Sequence, residues 1–234
     1  MTTPDIPLRF ELTIEVPGTP DQVWDAIATA NGISSWMMQT ELEERQGGAV
    51  VFHMGPGESS EGTITAWDPP RRIVYEEPAW AALADQDPAT VTPLVSEFLV
   101  EATSGGTCVV RVVSSAFGSG ADWEQEFFDG MGKGWTPMFE HLRLYLTHFP
   151  GQRVTPLEAS SDVAGTPAAA ITAISGALSI DEVGQTVDAR GAKAHVERLG
   201  EDNVLLRLTD PVPGLLSFFA YQTGEASTAI RAAG

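Results

Sequence analysis

Residues 9–16 alternate strictly between apolar and polar, with Phe10, Leu12, Ile14 and Val16 on one side and Arg9, Glu11, Thr13 and Glu15 on the other. A period of two belongs to a strand with one buried face. Pro17-Gly18 interrupts it. Thr19-Pro20-Asp21 then offers a helix N-cap, a proline suited to the first helical position and an early acid, ahead of Val23, Trp24 and Ile27 at helical spacing. A second short helix is predicted around Ile33 and Trp36. Five further strands are predicted over 49–54, 62–67, 72–77, 97–102 and 107–114. Their connections Gly47-Gly48, Gly55-Pro56-Gly57, Asp68-Pro69-Pro70 and Ser104-Gly105-Gly106 supply the positive or fixed φ values that reversals need, so these strands read as an antiparallel meander. Segment 78–93 breaks the pattern: Trp80-Ala81-Ala82-Leu83 is apolar yet bracketed by prolines and acids, and reads as a flap outside the sheet.

From 122 to 149 the period becomes helical, with Trp123, Phe127, Met131, Trp135, Met138, Leu142, Tyr145 and Phe149 three or four residues apart. Acids gather at the start of this segment (Asp122, Glu124, Glu126, Asp129) and bases near its end (Arg143, His148), as the helix dipole favours. Pro137 lacks a donor and crowds the preceding turn, so a kink or restart is expected near Thr136. Pro150-Gly151 ends the helix. The domain predicted over 1–152 is followed by a linker, 153–167, rich in Pro, Ser, Thr, Ala and Gly. Residues 168–234 hold an apolar segment at 170–178 and strand candidates at 194–198, 204–208 and 215–221, enough for a small α+β unit. Neither part contains an internal repeat.

Charge narrows the partners. Thirty-two acidic against thirteen basic residues give a net charge of −19, which repels phosphate backbones and anionic lipid headgroups; nucleic acid and membrane are not expected. The N-terminal Met1-Thr2-Thr3-Pro4-Asp5 has no secretory pattern, and the apolar run at 168–180 is shorter than the ~20 residues that span a bilayer. A cytoplasmic location is expected. Cys108, the single cysteine, sits in an apolar strand and reads as a packing group.

No GxSxG elbow, P-loop, HExxH or paired-cysteine site occurs. Gly55-Pro56-Gly57 is a hairpin turn, not a phosphate loop. His141 and His148, seven apart on one helical face, have no third ligand at metal spacing, so neither metal nor cofactor is expected. His53 lies in a strand whose parity leaves it facing either inward or outward, and His195 stands in the second unit. Glu97, Glu101 and Arg111 share parity across one hairpin and read as surface pairing, with a buried acid or base as the alternative.

The ordered set Thr19-Pro20-Asp21-Gln22-Val23-Trp24-Asp25-Ala26, Trp36, Gly47-Gly48, Glu61-Gly62-Thr63-Ile64, Pro69-Pro70-Arg71-Arg72-Ile73, Gly105-Gly106-Thr107 and Gly134-Trp135 resembles the activator-of-heat-shock-protein-90-ATPase homologues of the START-like (SRPBCC) superfamily, over about residues 8–150. The resemblance implies an α+β helix-grip fold, a curved antiparallel sheet around a long C-terminal helix, with a deep cavity that the superfamily uses for apolar ligands. The long 78–93 excursion and the α+β unit that follows depart from that pattern. No catalytic residue carries over. The implied cavity makes Trp36, Met38, Phe52, Tyr75, Trp80, Phe98, Phe127, Met131 and Trp135 the candidate ligand-lining set. The expected function is binding of a hydrophobic or amphipathic small molecule. The alternatives are a cyclase-, dehydratase- or hydrolase-like enzyme using His53, Tyr75 or Glu77, and an interaction or regulatory adaptor with a protein partner.

Overall fold

A computed structural model describes residues 5–55, 57–155, 157–224 and 227–233. Pro56 of the Gly55-Pro56-Gly57 turn, Pro156 of the expected linker and residues 1–4 lie outside the described residues. The chain divides into two units, Met1–Arg153 and Val154–Gly234.

In the first unit the opening alternation forms β1 (Ile6–Pro17). Helix α1 (Pro20–Ala28) starts where its signals stand: the Thr19 hydroxyl accepts from the Gln22 backbone N–H, and the Gln22 side chain accepts from the Thr19 N–H. Its buried Val23, Trp24 and Ile27 are joined by Ile33 of α2 (Ala30–Ser34). Six strands follow: β2 (Thr40–Leu42), β3 (Ala49–Gly55), β4 (Glu58–Asp68), β5 (Arg72–Glu77), β6 (Leu94–Ala102) and β7 (Thr107–Gly118). They pair antiparallel in the order β1-β7-β6-β5-β4-β3-β2. The register sets Phe10 opposite Ser114, Leu12 opposite Val112 and Val16 opposite Cys108, so the apolar side of β1 continues the buried side of β7.

Helix α3 (Asp122–His148) lies against β1. A Cβ at Gly132 would stand 3.1 Å from the Phe10 ring, so a bare backbone is what lets the helix come this close. The helix does not restart at Pro137 but runs through it; only one intrahelical hydrogen bond depends on that missing N–H. Its first turn is braced by Glu124, fully buried, whose carboxylate accepts from the Ser119 N–H and hydroxyl, both at 2.8 Å, and from the Gly120 N–H at 2.9 Å.

Segment 78–93 leaves the sheet as expected but is not loose. It holds two 3-10 turns, Trp80–Ala84 and Pro88–Thr90. Trp80 is fully buried and donates from Nε1 to the Thr92 carbonyl at 2.8 Å. With Ala81, Val91 and Leu94 it forms a cluster on Leu8, Ala116 and Phe128.

The second unit comprises β8 (Glu158–Ala164), α4 (Pro167–Leu178), β9 (Thr186–Asp188), β10 (Lys193–Leu199), β11 (Asn203–Asp210), β12 (Gly214–Gly224) and β13 (Ser227–Ala233). Its sheet runs β8-β13-β12-β11-β10-β9, all antiparallel. Half of the expected 153–167 linker is therefore strand: β8 is an edge strand of small and polar residues that show no alternation, and its pairing with β13 is remote in sequence. Ala170, Ile171 and Leu178 of α4 pack on Val187, Val196, Val204, Leu206 and Ala220.

A repeat links the two units, though none lies inside either. In each, a first strand is followed by a capped helix and then by a meander whose last strand returns to pair with the first. The junction is the same tripeptide: Gly18-Thr19-Pro20 recurs as Gly165-Thr166-Pro167, with glycine φ of 121° and 117° and the threonine hydroxyl capping the helix both times. The first unit adds α2, one more strand and α3.

Candidate functional site

Between the inner face of the first sheet and α3 lies a cavity of about 430 Å³. The sheet contributes Phe52 and Met54 from β3, Tyr75 and Glu77 from β5, and Leu94 and Ser96 from β6; each pair stands two residues apart, hence on one face. The helix contributes Phe127, Met131, Trp135 and Met138, with Gly130 and Gly134 between them. A Cβ at either glycine would meet nothing within 4 Å, so these positions leave space where side chains would have filled it. Met37, Met38 and Leu83 complete the wall. The chain has six methionines, and all five beyond Met1 line this one cavity.

Of the candidate ligand-lining set, Met38, Phe52, Tyr75, Phe127, Met131 and Trp135 are brought together at the wall. Trp36, Trp80 and Phe98 are not; they form its support. Trp36 is buried, donates from Nε1 to the Ala26 carbonyl at 2.9 Å and packs on Trp135 at 6.5 Å between ring centroids. Phe98 backs both Tyr75 (6.0 Å) and Trp135 (5.5 Å). Trp80 holds Phe127 at 4.9 Å. The implied cavity put these three in the candidate set, but all three are large aromatics, and bulk is what fills the layer behind a wall. Met37, Met54, Glu77, Leu83, Leu94, Ser96 and Met138 were absent from the set, although the period of two carries Phe52 to Met54 and Tyr75 to Glu77, and helical spacing carries Trp135 to Met138.

Polar groups at the wall are few. Glu77 is 8% exposed, and one of its carboxylate oxygens accepts from the Ser60 hydroxyl. Burial raises its carboxyl above the ordinary carboxylate range, with the Ser60 hydrogen bond opposing. Tyr75 is pushed well above the ordinary phenol value by burial and by the neighbouring Glu77 charge. Ser96 and Ser114 share a hydrogen bond of 2.9 Å between their hydroxyls.

The histidines lie elsewhere. His53 faces away from the cavity, its Nε2 3.1 Å from Glu41 Oε1, so it leaves the group of possible cavity bases. His141 is buried and its Nδ1 donates to the Trp36 carbonyl at 3.2 Å; burial brings it down to about 4, against the raising influence of that carbonyl and of Glu140. His148 is exposed, and His195 Nδ1 lies 3.1 Å from Thr186 Oγ1 in the second sheet. Glu97 pairs with Arg72, and Arg111 with Glu11 at 3.6 Å, so these two pair with other strands and not with each other; Glu101 is exposed and has no ion pair among the described residues. Cys108 is buried, and burial raises its thiol. Among the described residues no three metal-ligating side chains converge, and no helix is long and apolar enough to cross a membrane.

A sheet whose first and last strands pair, gripping one long helix across a side-chain-lined cavity, defines the helix-grip class. The chain belongs to the family described as Activator of Hsp90 ATPase homolog 1-like protein, whose model matches residues 17–147, more than half of the sequence. No curated protein matches. Among solved structures, protein MLL2253 from Mesorhizobium loti is 24% identical and covers 60% of this chain and 98% of its own, at a TM-score of 0.49. The Aha1 dimer from Colwellia psychrerythraea is 16% identical over 59% of this chain and 96% of its own, at 0.48. The di-domain ARO/CYC BexL from the BE-7585A biosynthetic pathway is 12% identical and spans 97% of this chain and 84% of its own, at 0.49.

Proposed function

We propose that the first unit binds one apolar or amphipathic small molecule in the cavity between the sheet and α3. The observation that carries this reading is the cavity itself: about 430 Å³ falls within the size of pre-formed small-molecule sites, and its wall is apolar apart from a few placed hydroxyls and one carboxyl. An unfilled space of that volume in a core forfeits packing that the same chain could have gained from larger residues at Gly130 and Gly134. Methionine side chains suit the task, because an unbranched thioether changes rotamer at little cost and moulds to ligands of differing outline.

Native mass spectrometry of freshly purified full chain tests the reading together with titration by 1-pyrenemethanol. The expected result is a co-purified mass lost on denaturation, or saturable one-to-one probe binding that the released ligand displaces. An unliganded mass with no saturable binding would remove it.

A further inference from the structure

Among the described residues that line the cavity Glu77 is the one carboxyl, and no Lys, Arg or His stands with it. Its placement is built into three strands. A Cβ at Gly62 of β4 would stand 3.2 Å from Glu77 Cγ and 2.6 Å from the Glu76 carbonyl oxygen, so glycine keeps the path clear along which the Glu77 side chain crosses β4. Beyond it, Ser60 donates to one carboxylate oxygen, and the Ser60 partner on β3 is Phe52. Tyr75 stands two residues before Glu77 on the same face of β5, its ring 5.2 Å from Phe52. The second carboxylate oxygen accepts no hydrogen bond from the described residues, and Arg72 of β5 and His53 of β3 are paired on the outer face.

A buried carboxylate with a free oxygen, bounded by aromatic rings and thioethers, lacks only a cation. Ring faces carry negative potential and attract ammonium groups, most strongly where water is excluded. An anion entering the same space would meet Glu77 and a protein surface of net charge −19. We propose that Glu77 makes the cavity selective for apolar molecules bearing a basic amine, seated with the ammonium on its free carboxylate oxygen and beside the rings of Phe52 and Tyr75. The inference rests on the cavity being a ligand site and names the class of ligand it takes.

Three probes of one skeleton test it with the full chain at neutral pH: 1-pyrenemethylamine, 1-pyrenemethanol and 1-pyrenecarboxylic acid, titrated at moderate salt so that diffuse surface attraction is screened. Wild type should prefer the amine over the alcohol by about tenfold or more and bind the carboxylate most weakly. Glu77→Gln should bring amine and alcohol to within about twofold of each other, whereas Glu61→Gln, an equal change of charge at an exposed position of β4, should keep the wild-type order. Glu77→Met, which replaces a buried carboxyl by the side chain its neighbours already use, gives the same reading if the amide variant does not fold. Equal binding of all three probes by wild type, or an amine preference that survives both Glu77 variants, overturns the selectivity and leaves the cavity reading standing. Failure of every probe to bind folded wild type overturns both.

Discussion

Trp135 and Trp36 touch each other, yet only Trp135 faces the cavity, and replacing each by alanine separates wall from support. Trp36 is 3% exposed and its Nε1 hydrogen bond to the Ala26 carbonyl is buried. Truncation there removes a fully enclosed indole and leaves an acceptor without its donor, so the loss should fall at the full cost of a core tryptophan, about 3–5 kcal/mol. Trp135 is half-buried, held by edge contacts at 5.5 Å to Phe98 and to Phe139 and by the more distant Trp36 ring at 6.5 Å, and open to the cavity on its remaining side. Two such ring pairs contribute about 0.5–1.5 kcal/mol each beyond area burial, and the open side contributes no packing to lose. Trp135→Ala should therefore cost about 2–3 kcal/mol, less than Trp36→Ala. Binding should reverse the order, with 1-pyrenemethanol affinity falling about tenfold or more in Trp135→Ala and by less in Trp36→Ala. Urea unfolding monitored by far-ultraviolet circular dichroism gives the stabilities, and probe fluorescence gives the affinities. If Trp135→Ala is the more destabilising variant and leaves probe affinity untouched, the indole is ordinary core and the cavity argument fails.

Four further outcomes follow from the same structure. His141 is neutral in the fold, pushed from 6.5 down to about 4, so unfolding takes up a proton between those values: its stabilisation is complete above about pH 6.5, falls as the pH drops towards 4, and totals about 3 kcal/mol. His141→Asn should flatten that part of the stability–pH curve relative to wild type. Glu124→Ala leaves the Ser119 and Gly120 donors unanswered and should cost about 2–4 kcal/mol, measured by denaturant midpoint; a change below about 0.5 kcal/mol would contradict the brace. Burial opposes ionisation of Glu124, but its hydrogen bonds from Ser119 and Gly120 outweigh it and hold the carboxyl below the ordinary range, so this contribution persists above the ordinary carboxylate value and is lost as pH falls through the lowered one. Gly130→Ala adds a methyl to open space in a helix and should stabilise by about 0.5–1 kcal/mol in thermal unfolding. A fragment of residues 1–153 should unfold in one cooperative transition, whereas strong dye binding and loss of near-ultraviolet dichroism would show that the second unit completes its core.

Local signals carried most of the first unit. Strand alternation at 9–16, the Thr19–Gln22 capping box and the helical recurrence of aromatics from Trp123 onward each act within a few residues, so the sequence exposes them directly. β8 and β13 escaped because each depends on the other across some seventy intervening positions, and β8, lying at an edge, has no apolar face to announce it. β2 is three residues long and escaped through brevity. The cavity wall was half legible. Period and parity fix which side of an element a residue occupies, but whether that side meets another side chain or open space depends on how two elements stand apart, and Trp36, Phe98 and Trp80 ended behind the wall. His53 was more decidable than its parity alone implied: with Phe52 and Met54 both inward, the residue between them must face out. The repeat joining the units escaped a comparison confined to each part, although Gly-Thr-Pro stands at both helix starts.

The methionine wall gives the protein built-in reporters. Five of its six methionines end at the cavity, each with a terminal methyl group that rotates freely and relaxes slowly in magnetic resonance. Labelling methionine methyls with carbon-13 yields a spectrum of six signals, five from the cavity and one from Met1. Ring currents from Phe52, Tyr75, Phe127 and Trp135 spread those five apart, so any molecule that enters displaces them together.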